Sequence, residues 1–175
     1  VVNIYIRVED ARRELEAKLL LALVAAENGF NCYVGAVTQE RILKWGLPPG
    51  IFHENNATPT PSSIQSRKAL IDLGHVITIQ DEEHGLMARD YERFAKGRMS
   101  SASVEQAAFV FNWGWHDFAY CVDAYPQFSS RFVMTGSPRV DVWKPQFAPV
   151  FDRPIAELKR PLDPFLLVVS GAGYL

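Results

Sequence analysis

With 175 residues, 48% hydrophobic and 22% charged, the chain has the size and make-up of a globular domain with a real core. A formal net charge of −2, without any run of Lys or Arg, excludes long-range attraction to a phosphate backbone, so nucleic acid is not an expected partner. Cys32 and Cys121 are too few and too far apart for a disulfide framework or a four-thiolate zinc site, and the longest apolar stretch, 19–26, falls short of the roughly 20 residues an integral membrane segment needs.

Residues 2–8 are β-branched and run into the charged stretch EDARRE, which predicts a buried strand and a helix start with Asp10 as N-cap. The helix is expected over about 12–28, rich in Ala, Leu, Glu and Lys and ended by Gly29 in a left-handed cap. Its second half, LLLALVAAE, is apolar nearly all round and should pack on a sheet. A strand over 31–35, a short helix over 38–45 and a strand over 51–53 follow. The loop 54–61 is polar and contains proline; Ser62 or Ser63 should cap a helix running to Leu73, which Gly74 ends before a strand over 75–80. Residues 81–100 read as irregular and charged. A helix near 101–106, a strand over 108–112, a helix over about 115–125 and a strand over 131–135 complete the series.

Strands alternating with helices imply right-handed crossovers and a mainly parallel sheet with helices on both faces, an α/β Rossmann-like domain. The character then changes. Residues 144–164 carry five prolines and suit a linker, while 165–170, FLLVVS, forms an apolar strand entering a Gly-x-Gly turn.

Five segments spread over about residues 2–170 together resemble the bacterial surface carbohydrate (polysaccharide) biosynthesis proteins, a family of glycosyltransferase character. They are VNIYIRVEDARRELEAKLLLALVAAENGFNCYVG, PPGIF, LGHVITIQDEEHGLM, FNWG and VMTGSPRVDVWKP. The last is similar to a TGNPR-x-D segment of that group, with Ser137 where Asn is common. The resemblance implies the GT-B architecture of two facing Rossmann-like domains. Residues 1–143 would be the N-terminal, acceptor-side domain, 144–164 the interdomain linker and 165–175 the first strand of a truncated second domain. It further implies a nucleotide-sugar donor held mainly by that second domain, a glycan acceptor held here, and a cytoplasmic location, with peripheral attachment at the inner face of the membrane left open. A non-catalytic flavodoxin-like binding module and a GT-B sugar-nucleotide epimerase stay open as alternatives.

The candidate site residues lie just past expected strand ends, where open parallel sheets place their ligand crevice. Asp81, Glu82 and Glu83 could supply the base that takes an acceptor proton, Glu82 or Glu83 ahead of Asp81, with His84 beside them; a solvated acidic loop is the plainer account. Gly136, Ser137 and Arg139 form a second group, in which Arg139 offers a planar donor fork to phosphate or carboxylate, or else pairs with Asp141 or another acid. Trp113 could carry a sugar face and His116 could act as base or phosphate donor, although both residue types are common as helix-start and core residues. Arg12, at the first helix start with Arg13, could meet an anionic acceptor. His53 and His75 read as structural. The acids and histidines form no metal-binding motif, and no cofactor is expected.

Overall fold

A computed structural model describes residues 1–83, 91–162 and 164. The chain divides after Asp141 into two compact units, Val1–Asp141 and a second that begins with Val142. Among the described residues the first unit holds β1 (Asn3–Arg7), α1 (Ala11–Glu27), β2 (Asn31–Gly35), α2 (Gln39–Trp45), β3 (Ile51–Glu54), α3 (Pro61–Asp72) and β4 (Val76–Ile79). It continues with α4 (Tyr91–Arg98), α5 (Ser101–Gln106), β5 (Phe109–Asn112), α6 (Trp115–Ala124), β6 (Phe132–Met134) and α7 (Pro138–Asp141).

The strands form one six-stranded sheet in the order β2-β1-β3-β4-β5-β6, every neighbouring pair parallel. The domain is therefore α/β and Rossmann-like, with the single strand beyond β1 that marks flavodoxin-type order, extended by β6. Only the crossover from β1 to β2 runs leftward. Right-handed connections therefore put α1 on one face and α2, α3, α5 and α6 on the other. The core lies under the second set: Tyr5, Phe52, Ile77, Ile79 and Val110 meet Ile42 of α2, Leu70 of α3, Val104 of α5 and Cys121 of α6.

Local chemistry explains most boundaries. Asp10 caps α1 by accepting from the Arg12 N–H, and Gly46 closes α2 in the left-handed region at φ 58°. The helix α3 starts earlier than Ser62 or Ser63 would set it: Thr60 is the cap, accepting from the Ser63 N–H, and Pro61 takes the first turn, where no N–H is needed. The span expected to be irregular contains α4, whose last residue, Arg98, pairs with Asp81.

The apolar half of α1 does not sink into the sheet all round. Leu19, Leu23 and Val24 are about half exposed or more, while Glu14 and Lys18 are buried. In the second unit the proline-rich stretch expected as a linker is a 3-10 turn, Pro145–Phe151, running into α8 (Asp152–Leu162). Pro145 and Pro154 sit in first turns, which tolerate them. The expected strand over 165–175 lies outside the described residues.

Candidate functional site

Because all six strands run the same way, their C-terminal ends share one edge, and the acids after β4 meet the first helix there. Asp81, Glu82 and Glu83 point three different ways. Asp81 takes both sides of the Arg98 guanidinium, Nε to Oδ2 and Nη2 to Oδ1, each at 2.9 Å, and its Oδ1 accepts the Glu83 N–H at 2.8 Å. Glu82 turns under α1: Lys18 Nζ lies 2.5 Å from its Oε1, with side-chain exposures of 1% and 4%. Glu83 faces outward at 36% exposure, held between Arg13 Nη1 at 3.1 Å and Arg98 Nη1 at 3.0 Å. Arg13 also grips Glu14 at 2.5 Å, so a chain of alternating charge runs Glu14–Arg13–Glu83–Arg98–Asp81 along the edge.

The group after β6 closes on this chain. Gly136 takes φ 84°, a backbone open to glycine, and its carbonyl accepts from Gln80 Nε2 at 2.8 Å. Ser137 is buried and opens α7, its carbonyl accepting from the Val140 N–H and its hydroxyl from the Arg139 N–H. Arg139 donates to the Glu82 carbonyl at 2.7 Å and lies 5.6 Å over the Trp113 ring. Trp113 in turn donates its indole N–H to the Asp81 carbonyl at 2.8 Å. Arg139, Trp113, Glu82 and Asp81 are thus one packed unit, with Arg139 paired to Glu82 through backbone and, at 3.9 Å, side chain.

At two of the helix starts along this edge, carboxylates of the chain itself hold backbone N–H groups. Asp117 accepts from the N–H groups of Trp113, Gly114 and Phe118 at the start of α6. At α1, Asp10 holds the Arg12 N–H and Glu14 the Glu9 N–H. Each carboxylate brings negative charge to the positive end of its helix dipole and so opposes an incoming anion there. Arg12 itself is exposed and stands outside the charge chain, which its neighbour Arg13 joins instead. His116 is exposed with its ring edge-on to Tyr91 at 4.6 Å. His84 lies outside the described residues.

Two residues of the site escaped sequence reasoning, the buried Lys18 and the partly buried Arg98. Lys18 carried a signal, since it stands one turn after Glu14 inside an otherwise apolar run. Arg98 is 17 positions from Asp81 and carried none. Beneath the edge, between α1, α7 and the sheet, lies a half-open and largely apolar cleft of about 350 Å³ lined by Ile4, Ile51, Phe111 and His53 among others. His53 is buried with Nδ1 3.0 Å from Thr78 Oγ1. Burial, and then the positive charge of Lys18, pushes its pKa well below the usual 6.5, so the ring is neutral.

Among the described residues no group of three or more His, Cys, Asp or Glu side chains could hold a metal ion, and no helix is long and apolar enough to cross a membrane. No family model matches the chain, and no curated protein matches it. A solved structure of a YwlE mutant from Bacillus subtilis is 15% identical, covering 91% of this chain and 100% of that one, with a TM-score of 0.27. A likeness at that score carries no argument.

Proposed function

We propose that the strand-end crevice is the acceptor side of a glycosyltransferase of bacterial surface-polysaccharide assembly, which moves a sugar from a nucleotide-activated donor to a glycan acceptor. The observation that carries this reading is the separation of three consecutive acids. Asp81 and Glu82 are buried in ion pairs, and Glu83 alone meets solvent at the edge where α/β sheets bind ligands. Glu83 takes the proton of the acceptor hydroxyl as that oxygen attacks the anomeric carbon, and the nucleotide leaves with the bonding pair. Arg13 and Arg98 hold the carboxylate meanwhile. An anionic group on a bound substrate can take over one guanidinium and free an oxygen of Glu83 for the proton. The family resemblance of the sequence supplies the substrate class.

The test is transfer by the full natural protein from a panel of nucleotide sugars, with and without oligosaccharide acceptors. Acceptor-dependent nucleotide release that Glu83→Gln abolishes, with folding unchanged, is the expected result. Neither transfer nor nucleotide binding with any donor, or full turnover in Glu83→Gln, overturns the reading. The strand order, flavodoxin-like at β2-β1-β3, favours a second reading as a non-catalytic binding module. Nucleotide binding without turnover in the same assay selects it.

A further inference from the structure

Trp113 and Trp115 flank one turn and are used in opposite ways. Trp113 has its indole N–H engaged by the Asp81 carbonyl and one ring face under Arg139, so it is part of the scaffold. Trp115, the first residue of α6, is 70% exposed, and its ring meets Phe118 at 5.9 Å with the planes 38° apart. An indole is the largest apolar surface a residue can leave in water, and most of this one stays bare at the ligand edge of the sheet.

The turn that presents it is rigid. Asp117 ties down the N–H groups of Trp113 and Gly114 before it and of Phe118 after it, each within 3.0 Å, so Trp115 is held out on a fixed base. Its chain neighbour is the exposed imidazole of His116, itself braced by Tyr91. A bare, flat indole face matches a pyranose, which offers a C–H face for stacking.

We propose that Trp115 is the stacking platform for one pyranose ring of the acceptor glycan; this rests on the carbohydrate reading above. Trp113, the tryptophan singled out by the sequence, then positions the acids and Arg139 and does not touch the sugar.

The experiment titrates the full natural protein with maltotriose, chitotriose and a deacylated lipopolysaccharide core oligosaccharide, read by saturation-transfer NMR and tryptophan fluorescence. At least one of the three should bind, about tenfold more weakly in Trp115→Ala and within about threefold of wild type in Trp115→Phe, with unchanged melting because the side chain is exposed. The fluorescence change on binding should vanish in Trp115→Phe. If the wild-type protein binds none of the three, the carbohydrate reading falls and this proposal with it. If Trp115→Ala binds as well as wild type while Glu83→Gln still abolishes transfer, the platform alone is overturned.

Discussion

Lys18 and Glu82 form a salt bridge of 2.5 Å between α1 and the strand-end loop, and both side chains are sealed from water. A pair this buried gives little net stability against an apolar replacement, because its attraction is spent on desolvation. Losing one partner is different. Lys18→Met should destabilise the first unit by about 3–5 kcal/mol, and Glu82→Leu comparably, whereas the double variant should recover most of the loss. Urea denaturation of the four proteins closes the cycle. A cost near zero for Lys18→Met would show that the pair is solvated in solution.

Arg139 couples the segment after β6 to the acids through its guanidinium over the Trp113 ring and a donor to the Glu82 carbonyl. Arg139→Lys keeps the charge but loses both the guanidinium over the ring and the directed fork, so it should cost about 1–2 kcal/mol and shift the Trp113 emission. Stability and emission equal to wild type would leave Arg139 a plain surface charge.

The alternation of strand and helix was legible because it rests on local chemistry: β-branched runs such as 2–8, the Asp10 cap and the glycines at helix ends. The edge that gathers the candidate residues followed from parallel order alone. What could not be read was which acid faces which way, because the partners of Asp81, Glu82 and Glu83 come from α1, α4 and α7, remote in sequence. The same tertiary pairing turns Glu14 and Lys18 inward and leaves Leu23 in water, the reverse of what hydrophobicity predicts for α1. Thr60 displaced Ser62 and Ser63 as cap because Pro61 fixes the helix start.

Cys121 lies on the buried face of α6, where burial pushes its thiol up to about 12 against a donor from Asn112 Nδ2 at 3.5 Å. At neutral pH it holds almost no thiolate and should resist thiol reagents until the domain unfolds. Cys32 is only partly buried and should react first. Mass spectrometry after timed labelling, with and without urea, separates the two. Early modification of Cys121 in the native protein would mean that α6 opens readily.

His53 gives the first unit a pH dependence whose sign follows from its setting. The unfolded chain takes up a proton near pH 6.5, while the folded ring, depressed first by burial and then by Lys18, stays neutral well below that. Between those two values the unfolded state binds more protons, so stability rises with pH. The contribution is complete above pH 6.5 and is lost as pH falls toward the folded pKa, by up to about 1.4 kcal/mol per unit. Urea stability measured from about pH 7.5 down to about 5.5 should therefore fall more steeply in wild type than in His53→Gln. Lys18→Met should also flatten the profile, since it removes the second cause of the depression. If His53→Gln keeps the wild-type slope, the dependence belongs to other groups and the imidazole is accessible to protons in the folded state.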